Sequence, residues 1–228
     1  MDINALIKDL FYCKGNLQEY INRRYRDPKT AVIILKYYDY LVMKDGNKFY
    51  VNLDVETVGE VLGEYQMHGI TKEHTVIDLG ANVGGFTVPA ARLAKKVIAY
   101  EPMRYNELKA NVDLNGLTNV EIHSEGIGDG NDVELVWREE TKVIKTVTFE
   151  QIVAGIEGPC FLKLDTEGSE RFVPPEMLSR FDRIEAELHW DFDVCRKLVG
   201  ELSKTHVIEI DHVGAYGIFG IIHATRRE

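Results

Sequence analysis

With 228 residues, of which 45% are hydrophobic and 28% charged, the chain has the composition of a folded core with an N-terminal extension, which excludes a disordered tract or a collagen-like fibre. Its formal net charge of −10 disfavours a nucleic-acid partner, because binding a polyphosphate requires a basic face that releases counterions. Cys13, Cys160 and Cys195 form no C-x-x-C pair, which argues against a disulfide framework or a zinc site, and no apolar run is long enough to span a bilayer; the expectation is a cytoplasmic protein with no membrane partner.

In chain order, Leu6, Ile7, Leu10, Phe11, Leu17 and Ile21 recur at helical spacing and predict one or two amphipathic helices between about residues 4 and 26. The basic run from Asn22 to Arg26 reads as a solvated helix face. Asp45-Gly46 separates two alternating, aromatic-rich runs, Tyr38 to Met43 and Lys48 to Leu53, the pattern of a hairpin closed by a tight turn. A helical stretch with Thr57, Val61, Leu62 and Tyr65 follows, so residues 1–70 read as a cap on a core domain of residues 71–228.

From Thr75 onward, β-branched apolar runs at Val76–Leu79, Val97–Tyr100, Val120–Ile122, Phe161–Leu164, Ile184–Leu188 and Val207–Ile210 alternate with helical patterns. Such alternation predicts an α/β fold with a mostly parallel sheet covered on both faces. Pro102 opens a helix with Tyr105, Leu108 and Val112 on one face and Asn115-Gly116 as its stop. Thr148 and Gln151 have the spacing of a capping box. The last run, Tyr216 to Ala224, follows its predecessor too closely for a parallel crossover, so that pair is expected to be antiparallel, as in the Rossmann-like class I methyltransferase arrangement.

Val76-Ile77-Asp78-Leu79-Gly80-Ala81-Asn82-Val83-Gly84-Gly85-Phe86 is a buried strand entering a glycine-rich turn, where small residues let a ligand approach the backbone. Asp78 stands at the strand's carboxyl end, the edge where open α/β sheets bind ligands. Glu101-Pro102 ends the next strand with an acid 23 residues after Asp78, where the ribose hydroxyls of an adenosine ligand would be held. The glycine spacing lacks the G-x-G-x-x-G that seats a pyrophosphate, which favours S-adenosylmethionine over a dinucleotide. Gly126 and Ile127, in the polar loop from Ser124 to Asp129, are expected near the adenine.

Lys163 lies within an apolar run that should be a central strand, and unpaired charges seldom occupy such places. Alternation puts Lys163 with Asp165 on one strand face, and Glu185, Glu187 and His189 together on a face of the strand expected beside it. Lys163 is then expected to balance Glu187, either inside a catalytic site or as a plain structural ion pair, with Asp165, Glu167 and His189 at the mouth. Oxygen and imidazole groups of this kind suit several divalent cations, but spacing alone assigns no metal.

Taken together, a hairpin, the Glu64-Tyr65 helix, VIDLGANVGGF, AYEP, KLDTEGSE and EAELH resemble the FkbM family of S-adenosylmethionine-dependent methyltransferases over roughly residues 38 to 189. The resemblance implies a seven-stranded class I fold and O-methylation of a small-molecule hydroxyl of the sugar or natural-product type. It further implies cofactor contacts at Asp78, Gly80, Asn82, Gly84, Glu101 and Pro102, with Phe86 in the same turn, and Asp165 at the methionine end. His189 or Asp165 is the expected proton acceptor, with Lys163 and Glu167 beside them. Three other readings stay open: an RNA methyltransferase of related fold, a nicotinamide-dependent oxidoreductase, and a binding module without turnover. The acceptor and the oligomeric state carry no readable code.

Overall fold

The computed structural model describes residues 32–34, 40–43, 45–50, 64–137, 140–189, 192–211 and 220–227. The helices expected between residues 4 and 26 and the helical stretch around 57–62 lie outside the described residues.

The first described unit is a three-stranded antiparallel sheet of β1 (Val32–Ile34), β2 (Tyr40–Met43) and β3 (Lys48–Tyr50). β2 and β3 form the expected hairpin, with Tyr40 opposite Tyr50, Gly46 at φ +87° and the Asp45 carboxylate accepting the Asn47 N–H at 3.0 Å. β1 is an additional edge strand, too short to show a period in the sequence. Phe49 is 1% exposed and packs with Val83, Val88, Leu108 and Val112, which docks the hairpin on the core domain.

The core continues through β4 (Thr75–Leu79), α1 (Thr87–Leu93), β5 (Lys96–Tyr100), α2 (Tyr105–Leu114) and β6 (Val120–His123). Two short strands, β7 (Gly126–Ile127) and β10 (Thr146–Val147), pair in parallel and flank a hairpin of β8 (Val133–Trp137) and β9 (Glu140–Ile144). Then come α3 (Phe149–Val153), β11 (Cys160–Leu164), β12 (Arg183–Glu187), α4 (Phe192–Thr205), β13 (His206–Ile210) and β14 (Ile221–Arg226). The main sheet has seven strands in the order β13-β14-β12-β11-β4-β5-β6. The β12–β11–β4–β5–β6 pairs are parallel, and β14 runs antiparallel to both of its neighbours. This is the class I methyltransferase arrangement expected from the close spacing of the last two runs.

Helices on both faces explain the unbroken apolar runs of the central strands. Ile77, Leu79, Leu162 and Leu164 share one core with Phe149, Phe181, Leu198 and Leu202, while Val76, Val97 and Phe161 face Phe86, Ala90, Tyr65 and Ile70 on the other side. Thr148 makes the expected capping box with Gln151 at the start of α3. α2 begins at Tyr105 rather than at Pro102, because the Glu101 carboxylate takes the Met103 and Arg104 N–H groups at 2.7 and 2.8 Å and holds them in a turn. Among the described residues no helix is long and apolar enough to cross a membrane.

Candidate active site

The carboxyl ends of β4, β5 and β11 open into a cavity of about 520 Å³, within the range of small-molecule sites. Of the residues expected at a cofactor, Gly80, Asn82, Phe86, Glu101, Pro102, Gly126, Ile127 and Asp165 line it. Lys163 and Glu167 line it as well. Asp78 and Gly84 stand outside that lining, and His189 adjoins it through Asp165 and Glu167.

The glycines of the turn have different physical tasks. Gly80 sits at φ +78°, and a Cβ there would lie 1.7 Å from the Asp165 carbonyl oxygen, so the loop after β11 passes directly over it. Gly84, at φ +90°, would press a Cβ to 2.9 Å from Leu108 of α2. Between them Asn82 has φ 48°, a left-handed conformation that asparagine tolerates better than most residues. That conformation sends the Asn82 N–H to Glu101 Oε2 at 2.7 Å. Asn82 Oδ1 is buried without a hydrogen-bond partner among the described residues.

Glu101 is 6% exposed and receives three backbone N–H groups, two on Oε1 and one on Oε2. Burial holds its carboxyl above the usual range, partly offset by those donors. Oε2 retains capacity for one further donor. The wall formed by Glu101 and Asn82 therefore keeps acceptor capacity on Glu101 Oε2, with the buried Asn82 Oδ1 beside it unpaired among the described residues.

Lys163 corrects the expectation of a Glu187 partner. Its ammonium donates to the Gly80 carbonyl at 2.6 Å and lies 3.2 Å from Asp165 Oδ2 and 3.5 Å from Asp78 Oδ1, with the Tyr65 ring 5.3 Å away. Lys163 stands in register between Asp78 on β4 and Glu185 on β12. Glu185 is already occupied by Arg183 at 2.7 Å, the Gln66 N–H at 2.9 Å and His223 at 2.5 Å, so the lysine turns to Asp78. Asp78 is wholly buried and also accepts from Thr87 Oγ1. Burial raises its carboxyl despite Lys163, while burial depresses Lys163 less than Asp165 and Asp78 raise it. Asp78 thus serves the lysine behind the cavity wall.

A second cluster joins the loops after β11 and β12. His189 Nδ1 meets Glu170 Oε1 at 3.1 Å, while Nε2 lies 3.6 Å from Glu167, 3.8 Å from Glu187 and 3.9 Å from Asp165. Although burial opposes charge on the ring, the Glu170 hydrogen bond and the surrounding carboxylates carry His189 from 6.5 up to about 9. Glu170 is 2% exposed and accepts both the N–H and Oγ1 of Thr166 at 3.0 Å. Glu187, which accepts from the Tyr65 hydroxyl at 3.4 Å, is raised by burial and by Asp165. Glu167 sits at φ 53° just before Gly168 at φ 101°, the sharp turn that brings its carboxylate to the cluster.

Sequence reasoning placed no site role on Tyr65, on Glu170 or on the β8–β9 hairpin, whose Leu135 and Val136 line the cavity. Of these, Glu170 leaves a trace in the sequence, the four-residue spacing from Thr166 that its hydrogen bonds use.

No protein-family model matches the chain. It is similar to an uncharacterized protein of Methanocaldococcus jannaschii, 28% identical over 161 residues, which cover 63% of this chain and 60% of that protein. The chain therefore spans less than two thirds of the length of this curated relative. Among solved structures it is similar to an rRNA methylase from Streptococcus thermophilus, at 14% identity and a TM-score of 0.46 over 71% of this chain and 92% of that one. It is also similar to a precorrin-6y C5,15-methyltransferase from Geobacter metallireducens, at 14% identity and a TM-score of 0.47 over 80% and 96%. M. jannaschii TYW2 in complex with AdoMet gives 18% identity and a TM-score of 0.41 over 87% of each chain. Likenesses at these scores assign this chain neither a ligand nor a substrate.

Proposed function

We propose that the chain is an S-adenosylmethionine-dependent methyltransferase of the FkbM type that methylates a hydroxyl group of a small molecule. The observation that carries this reading is the cavity at the carboxyl edge of the sheet. One wall carries Glu101, with acceptor capacity left on Oε2, beside Asn82, and the other carries the carboxylates of Asp165 and Glu167. The two walls suit an adenosyl group at one end and a sulfonium at the other.

In this reading Glu101 Oε2 accepts from a ribose hydroxyl, Gly126 and Ile127 border the adenine, and Asp165 lies at the methionine end. The bound cofactor supplies an electrophilic methyl group on a cationic sulfur. The chain's own task is to hold the acceptor oxygen in line and dry, since positioning supplies most of the rate in such a displacement. With a pKa of about 9, His189 is protonated near neutral pH and so holds a proton rather than receiving one. On the same reading Asp165, which lines the cavity with Glu167, accepts the proton of the hydroxyl. Lys163 fixes Asp165 through Oδ2, leaving Oδ1 on the side of His189.

The test is calorimetric titration of the full chain with S-adenosylmethionine, followed by a screen of metabolite extract for transfer of labelled methyl. Binding that is lost in Glu101→Ala, with label in a small hydroxyl compound, is the expected result. Absence of binding removes the cofactor reading, and label found in RNA overturns the acceptor class.

A further inference from the structure

We infer that Asp165, Glu167 and His189 form a binding site for one divalent cation at the acceptor end of the cavity. The placement at the acceptor end rests on the function proposed above; the site itself rests on the geometry of the three side chains. One ligand atom from each lies within 4.8 Å of the others. His189 Nε2 is 3.6 Å from Glu167 Oε2, 3.8 Å from Glu187 Oε1 and 3.9 Å from Asp165 Oδ1, longer than a hydrogen bond and shared among three carboxylates instead of committed to one. A cation at ~2.1 Å from each atom would require these separations, now within 4.8 Å, to contract to roughly 3–3.5 Å.

The surroundings prepare each ligand. Glu170, itself buried and tied to Thr166, engages Nδ1 of His189 and leaves Nε2 facing the carboxylates; a carboxylate behind a ligating imidazole is the usual support at metal centres. Asp165 divides its oxygens, Oδ2 to Lys163 and Oδ1 toward His189. Charge points the same way: Asp165, Glu167, Glu170 and Glu187 converge on His189, whose Nε2 would give up its proton to solvent when a cation binds, while Lys163 is spent deeper in the wall on Asp78 and Asp165. Asp165 and Glu167 line the cavity, so a cation has a route in from solvent and positions left for water or an acceptor oxygen. Oxygen ligands with one imidazole suit a first-row cation such as Mn²⁺. Such an ion would lower the pKa of a hydroxyl brought to it, so that the proton could pass to water or to Glu187, the neighbouring carboxylate not used as a ligand.

The experiment is an Mn²⁺ titration of the EDTA-treated full chain, read by loss of the free-ion EPR signal, with S-adenosylmethionine binding measured separately on the same metal-free protein. One Mn²⁺ per chain is expected, lost in Asp165→Asn and in His189→Gln, and weakened about 10- to 100-fold in Glu170→Gln, with far-UV circular dichroism confirming that each variant is folded. Mn²⁺ uptake without cofactor binding would keep the cation site and remove the function on which its placement rests. Cofactor binding without Mn²⁺ uptake, or uptake unchanged in folded His189→Gln, overturns the inference.

Discussion

Lys163 is the residue whose surroundings cost most to disturb. Replacing it with methionine leaves Asp78 wholly buried without its cation, and breaking a buried pair from one side costs ~3–5 kcal/mol. The urea midpoint of Lys163→Met should fall accordingly, whereas Lys163→Met combined with Asp78→Asn should recover much of the loss. A double variant no more stable than the single one would show that the pair is not the cause. Gly80→Ala should be at least as damaging, since its Cβ would overlap the Asp165 carbonyl at 1.7 Å, on top of the ~1–2 kcal/mol of left-handed backbone strain.

His223 gives the stability a pH dependence distant from the cavity. Its ring is raised above 6.5 by the Glu185 hydrogen bond and the charges of Glu185 and Asp211, against burial and Arg183. A raised folded-state value means that the stabilisation is fully present below ~6.5 and fades as pH rises through the elevated value. Thermal unfolding followed across that window should show a decline in the wild type that is smaller in His223→Gln, where the part due to His189 remains. The same residues show what alternation can and cannot tell. A period of two puts Lys163 and Glu185 on matching faces, but only the spatial competition of Arg183, Gln66 and His223 for Glu185 sends Lys163 to Asp78.

Among the elements, the hairpin of β2 and β3 is held by side chains that imitate a strand. Asn115 Oδ1 and Nδ2 bond the Lys48 N–H and carbonyl at 2.9 and 2.7 Å, and Asn111 Oδ1 takes the Tyr50 N–H at 3.0 Å while its Nδ2 bonds the Val83 carbonyl at 2.8 Å. The open edge of β3 is thereby satisfied by α2, and Asn111 ties the hairpin to the glycine-rich turn after β4. Asn111→Ala should cost ~1–3 kcal/mol through the unsatisfied groups it leaves. The expected signature is faster hydrogen exchange at Tyr50, with α3 unaffected as the control. At α3, Thr148→Ala should remove ~1 kcal/mol of capping, read as a lower urea midpoint. Asn115 reads in sequence only as part of a helix stop and Asn111 draws no reading at all, because their partners lie more than 60 positions away.

For the molecule as a whole, the cavity joins the carboxyl ends of β4, β5 and β11 with β7 and the β8–β9 hairpin, so a ligand that fills it should stabilise the fold globally. S-adenosylmethionine at a hundredfold excess over its dissociation constant should add ~2.7 kcal/mol, seen as a rise in Tm that nicotinamide dinucleotides do not reproduce. The amino-acid sequence by itself determined the doubly covered sheet, the antiparallel closing strand and the turn with its distant acid. Burial on both faces writes strands as apolar runs, and a left-handed turn demands glycine or asparagine, so each leaves a local mark. The tertiary structure decided that Asp78 serves Lys163 behind the wall, that Glu170 orients His189, and that Asp165, Glu167 and His189 meet. Those outcomes depend on which of several nearby charges reaches a partner first in a crowded interior, a competition among residues remote in the chain that no local period records.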